Sequence, residues 1–169
     1  PYDLQGQLPS GEFARLAGHG GPEGDLFCGI RHSTTDSFNT ECWGNRESHE
    51  SMDVPDKLFV DVSVGQNHAC GLAASGEATC WGMDPDEWST APDMEFVEIE
   101  SGLFGACGLS KSGEISCWGR KSTSMNLNNA VPKSCLRNFS LGAVAVCSIR
   151  EDSKVTCWGN EQLQGFRIP

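Results

Sequence analysis

Gly65-Gln-Asn-His-Ala-Cys-Gly-Leu72, closely followed by Gly76-Glu-Ala-Thr-Cys-Trp-Gly82, decides how this sequence is read. The pattern returns as Gly105-Ala-Cys-Gly-Leu109 with Ile115-Ser-Cys-Trp-Gly119, and as Ala145-Val-Cys-Ser-Ile149 with Val155-Thr-Cys-Trp-Gly159. A looser copy stands first: Leu26-Phe-Cys-Gly-Ile30, then Cys42-Trp43-Gly44. Each copy is led by a short run: Phe13-Ala-Arg-Leu16, Val60-Asp-Val-Ser-Val-Gly65, Val97-Glu-Ile-Glu-Ser-Gly102 and Phe139-Ser-Leu-Gly142. The steps from Trp to Trp are 38, 37 and 40 residues. Self-similarity at so steady a period marks a repeat architecture. The units lie at roughly 13–45, 58–83, 96–120 and 137–160, within one repeat domain over 1–169.

Each unit reads as strands, because its apolar runs are short, alternate in polarity and are punctuated by Gly. Helical periodicity is absent, so the fold class is all-β. If Cys70 faces Cys80 across a hairpin, the loop is Ala74-Ser75-Gly76; if Cys107 faces Cys117, it is Lys111-Ser112-Gly113. A three-residue hairpin loop favours a left-handed residue in third place, where Gly costs least. Ser153 takes that place in the fourth unit and is less comfortable there.

The chain has nine cysteines. Eight form the pairs Cys28/Cys42, Cys70/Cys80, Cys107/Cys117 and Cys147/Cys157. Zinc sites favour cysteines two to four residues apart, and no such knuckle occurs. Disulfides are the better reading, and they imply an oxidising setting: secreted, cell-surface or an organelle lumen. Cys135 is left over, either as a free thiol or paired with another chain or a segment outside this sequence.

The same register sorts the two faces of each hairpin. One face carries the disulfide with Leu72, Leu109 or Ile149; on the other, Trp81 faces Ala69 and Trp118 faces Ala106, beside Gly71 and Gly108. Two such faces can pack together when units stack. Trp43, Trp81, Trp118 and Trp158 therefore read as packing anchors rather than an aromatic cage.

These residues resemble the regulator-of-chromosome-condensation type of β-propeller repeat, in the short disulfide-bearing Cys-Trp-Gly variant of Crinkly-type receptor ectodomains. The resemblance covers essentially the whole chain. It implies a β-propeller, or propeller arc, of four short blades, each with one cross-strand disulfide. It implies no particular function, because propellers host many. His68 matches a His frequent in the family and reads as structural. Propellers run from about four to eight blades, so both a closed four-blade ring and an arc of a larger ring are open. Leu4-Gln-Gly6 and Leu163-Gln-Gly165 both look like the connector that follows Cys-Trp-Gly, which favours the arc.

Charge narrows the function. Lys and Arg number 12 against 23 Asp and Glu, a net charge of -11. Sequence-independent nucleic-acid binding needs clustered basic residues, so no nucleic acid is expected as a partner. Adhesion to an anionic membrane is disfavoured in the same way. No apolar run is long enough to span a bilayer. The sequence opens at Pro1 without a signal peptide or Met, as a mature form or part of something longer would. It has no nucleotide-binding loop, nucleophile elbow or zinc-protease signature. No cofactor and no metal are expected. Asp84-Pro-Asp-Glu87 and the series Glu95, Glu98, Glu100 read as solvated acidic surface rather than calcium sites. Asn138-Phe-Ser140 is a glycosylation sequon, although it falls in the first strand of its unit.

The connectors Arg46–Lys57, Met83–Glu95 and Arg120–Leu136 differ while the strands agree. Constant strands with variable loops are the usual way to build a binding surface. Trp88 lies in the second connector. The expected function is a non-enzymatic extracellular or lumenal binding or scaffold module, working by protein–protein interaction or as a structural part of an assembly. The alternatives are a carbohydrate-binding propeller and a polysaccharide-active enzyme with its cleft on a propeller face.

Overall fold

The computed structural model describes residues 9–21, 24–32, 39–44, 53–82, 90–103, 105–119, 131, 135–143 and 145–159. Twelve strands follow in chain order. The first unit holds β1 (Phe13–Gly21), β2 (Gly24–Arg31) and β3 (Thr40–Gly44); the second β4 (Asp61–Val64), β5 (His68–Leu72) and β6 (Ala78–Gly82). The third holds β7 (Phe96–Ser101), β8 (Ala106–Ser110) and β9 (Ile115–Trp118); the fourth β10 (Leu136–Leu141), β11 (Ala145–Arg150) and β12 (Val155–Gly159). Each unit is a separate three-stranded antiparallel sheet with its strands in sequence order.

The turns set the register. Ala73 donates its amide to Glu77 O at 2.9 Å, and Gly76 donates back to Ala73 O at 2.9 Å. Ser110 with Glu114 and Arg150 with Lys154 close the next two hairpins in the same way. Third-place residues Gly76, Gly113 and Ser153 have φ of 90°, 80° and 63°. Cys70 then faces Cys80, Cys107 faces Cys117 and Cys147 faces Cys157, while Cys28 faces Cys42 across a longer loop. The Cα–Cα separations of 4.0, 4.0, 4.0 and 4.1 Å suit directly opposed, non-hydrogen-bonded residues, and all four pairs are disulfides.

The core consists of three layers between consecutive sheets. Cys28, Leu26 and Ile30 of the first sheet pack on Phe59, Val62, Ala69 and Trp81 of the second. Cys70, Leu72 and Cys80 pack on Phe96, Ile99, Ala106 and Trp118. Cys107, Leu109 and Cys117 pack on Leu136, Phe139, Val146 and Trp158. The disulfide face of one blade thus always meets the Trp face of the next. The first strands β1, β4, β7 and β10 also approach one another in series, so they lie toward the axis of the array.

The sheets do not close into a ring. Among the described elements, packing runs from first to second, second to third and third to fourth, and the fourth makes no comparable layer with the first. The closed four-blade alternative is therefore corrected to an open arc. The face assignments hold, but two positions differ in burial or partner. Ile149 lies on the disulfide face like Leu72 and Leu109, but it is exposed where they are buried. Trp43 is only half-buried, and Phe27, not a small residue, stands opposite it.

Candidate interaction surface

Inside the first three blades the indole leans on a Phe in, or just before, the first strand. The Phe59 and Trp81 ring centroids lie 5.4 Å apart, as do those of Phe96 and Trp118; Phe13 and Trp43 are 5.6 Å apart. The facing glycine makes room for the Phe. A Cβ at Gly29, Gly71 or Gly108 would come within 2.6, 2.5 or 2.4 Å of the Phe13, Phe59 or Phe96 ring. In the fourth blade Ser148 replaces the glycine and Leu136 replaces the Phe. Sequence reading had the glycines but missed these Phe partners. The signal was present: Phe59 and Phe96 each precede their glycine by 12 residues.

A second repeated device joins the blades along the axis. Ser63 Oγ accepts the amide of Ser101 in the next blade at 2.8 Å. Glu100 holds the equivalent place one blade on, and its Oε2 accepts the amide of Leu141. Asn138 Nδ2 donates to Glu98 Oε1 at 3.0 Å. The turns contribute as well: Phe96 donates to Gly76 O at 2.9 Å, and Leu136 to Gly113 O at 3.1 Å.

This corrects the reading of Glu98 and Glu100 as freely solvated. Both are partly buried, and only Glu95 of that series is exposed. A bulge between Phe96 and Glu98 turns Val97 outward and keeps Phe96 and Ile99 in the core. Burial raises the Glu98 carboxyl above its ordinary value, helped by the nearby charges of Glu100 and Asp61 and opposed by the Phe139 amide. Burial also raises Glu100, opposed by the Leu141 amide and the Ser140 hydroxyl. His68 lies fully buried beside Gly65, and burial lowers its pKa to about 4, opposed by a hydrogen bond that the ring donates to the Gly105 backbone carbonyl.

Connector residues and the β5–β6 hairpin form an open groove of about 760 Å³, with Lys57, Glu77, Thr79, Thr90, Asp93 and Glu95 on its walls. Lys57 Nζ spans it to Glu77 Oε1 at 2.7 Å and to Thr79 Oγ1 at 3.1 Å. Among the described residues, no three of His, Cys, Asp and Glu converge as a metal ion requires. Among the described residues, no helix is long and apolar enough to cross a membrane.

The remaining candidates are scattered. Cys135 carries a free, exposed thiol just before β10. Asn138 is exposed on β10, with its amide engaged by Glu98. Trp81, Trp118 and Trp158 are buried in the interblade layers. Trp88, Asp84–Glu87, both Leu-Gln-Gly segments and much of the connectors lie outside the described residues.

Residues 59–86 match the model of the Regulator of chromosome condensation (RCC1) repeat. No match is found among curated proteins. Among solved structures, the chain is similar to the CRINKLY WD40 ectodomain of the Arabidopsis thaliana receptor kinase ACR4. The two are 27% identical over 90% of this chain and 57% of that one, with a TM-score of 0.69. The ectodomain of the Physcomitrella patens receptor kinase CR4 is 26% identical over 92% of this chain and 42% of that one, with a TM-score of 0.71. Yeast RCC1 (Prp20), solved bound to Kap60, shares the fold at 13% identity over 90% of this chain and 45% of its own, with a TM-score of 0.63. The chain thus spans little more than half the length of the first of these and less of the others. It is an open arc of four RCC1-like β-propeller repeats, each stapled by one cross-strand disulfide.

Proposed function

We propose that the chain is a non-enzymatic binding or scaffold module of an oxidising extracellular or lumenal compartment, acting by protein–protein contact. The observation that carries this reading is the contrast between a rigid, disulfide-stapled strand framework and connectors that differ from unit to unit. Four disulfides suit an oxidising compartment. Two similar structures are receptor ectodomains. The yeast protein of the same fold is described as binding Gsp1p and histones. The charge of -11 favours a basic partner, by steering more than by affinity.

Catalysis fits less well. An acid–base pair needs two groups whose environments push their pKa values apart. Glu98 and Glu100 both shift upward, and both accept hydrogen bonds from the next blade.

The test is cross-linking of the native material, followed by mass spectrometry of the linked peptides. Links from connector residues to one basic protein support the reading. A chain that yields no protein cross-links but binds a polysaccharide array would replace it with the carbohydrate reading.

A further inference from the structure

Each first strand carries a bulge at the same rim of the arc, where the turns of the hairpins also lie. The extra residue is Ala14, Val97 or Arg137 in the first, third and fourth blades. Val60 holds that place in the second blade: its amide donates to Leu72 O at 2.8 Å, while Asp61 pairs with Leu72. All four side chains are exposed. Bulges re-aim side chains and are common beside functional sites. In the two middle blades the re-aimed residue is a valine, with Val60 51% and Val97 56% exposed. Leu58, two residues before Val60, is 50% exposed.

The same two blades form the open groove, so the apolar residues and the groove are continuous. Lys57 on its wall directly precedes Leu58, and Glu95 lies two residues before Val97. Glu77, Asp93 and Glu95 bring three carboxylates to the groove against one cation, Lys57. The Lys57 ammonium, held by Glu77 and Thr79, marks where a cation sits. Asp93 and Glu95 meet no cation among the described residues.

We infer that this rim docks a short basic segment of a partner protein. Its Lys or Arg side chains seat on Asp93, Glu95 and Glu77, and an apolar side chain lies on Leu58, Val60 and Val97. Charge complementarity selects the occupant, because the groove repeats locally the acidic excess of the whole chain. Nucleic acid is repelled by the same carboxylates, and a neutral glycan leaves them without a cation. An apolar centre bordered by polar groups is the ordinary anatomy of a protein interface.

The inference rests on the binding reading above and gives it a place and a partner chemistry. The test is selection of a random-peptide display library on the full 169-residue chain, followed by fluorescence anisotropy with the enriched peptides. The enriched peptides should be basic and carry a large apolar residue. Val60→Glu and Val97→Glu should each weaken their binding about tenfold, the loss of one buried apolar contact. Asp93→Asn and Glu95→Gln should each weaken it about threefold, and less at high salt. Lys57→Gln should strengthen it, because Glu77 is then free for the peptide's own cation. All five changes are at exposed or rim positions, and near-UV circular dichroism checks that each variant is folded. No enrichment overturns the inference, as do enriched peptides that are acidic or neutral. Binding that survives both valine changes overturns it too. If the chain still cross-links a basic protein in those cases, the contact lies elsewhere and the binding reading stands; if it does not, both fall.

Discussion

Trp118 Nε1 donates to Cys80 Sγ across 3.3 Å, from the third blade to the disulfide of the second. The staple of one blade is therefore the floor on which the next blade's indole rests. A disulfide in this fold closes its own hairpin and also presents a polarisable surface to a neighbour. The Cys-Trp-Gly triplet places both groups one residue apart, so they point to opposite faces of the sheet.

Trp118→Ala should be among the most damaging single changes. The side chain is buried against Phe96 and the Cys70–Cys80 layer. Loss of so large a core group costs about 3–5 kcal/mol. Trp43→Ala should cost clearly less, because Trp43 is already partly exposed. Urea unfolding of both variants checks the order.

Replacing Cys70 and Cys80 together by Ser should destabilise by about 2–3 kcal/mol, the loop-closure entropy of so short a loop. Cys135→Ser, at an exposed free thiol, should stay within about 0.5 kcal/mol of the parent. Unreduced peptide mapping should find the four intra-blade pairs and an alkylatable Cys135.

Gly76→Ser should cost about 1–2 kcal/mol through its left-handed backbone alone. Crowding adds to this, since a Cβ there lies 3.0 Å from Glu95 Cβ. Ser153→Gly should gain no more than about 1 kcal/mol, because glycine's larger unfolded-state entropy offsets the relief of strain. Thermal melts of the two variants give the comparison.

Stability should fall as the pH drops from about 6.5 to about 4. His68 has a folded pKa of about 4 against an ordinary value of 6.5. Between those values the unfolded chain binds the extra proton, so unfolding is favoured as the pH falls. The full effect is about 3 kcal/mol. Glu98 and Glu100 act in the opposite sense, since their raised pKa values make the folded chain the better proton binder at acid pH. A His68→Asn variant should show a flatter stability profile over that window. If it fails to fold, titration of the His68 ring by NMR in the parent checks the same lowered pKa.

Much of this was legible in the chain because a repeat states its rule four times. The period gave the units, the ten-residue spacing of Cys70 and Cys80 gave the hairpin register, and Gly76 and Gly113 gave the turn. These are local properties, set by strand alternation and by which residues tolerate a left-handed backbone. The alternation Val97-Glu98-Ile99-Glu100 was misleading. A bulge costs nothing in composition, and it reversed which of Val97 and Phe96 points inward.

The sequence by itself determined the blade: three antiparallel strands, one disulfide, one indole on the opposite face. Only the tertiary structure decided how blades meet. Leu16 and Val62 are both apolar residues on first strands, yet one is bare and the other covered. Burial depends on the neighbouring blade, and no residue carries that information alone. Closure depends on the rotation accumulated from blade to blade, which four units leave open.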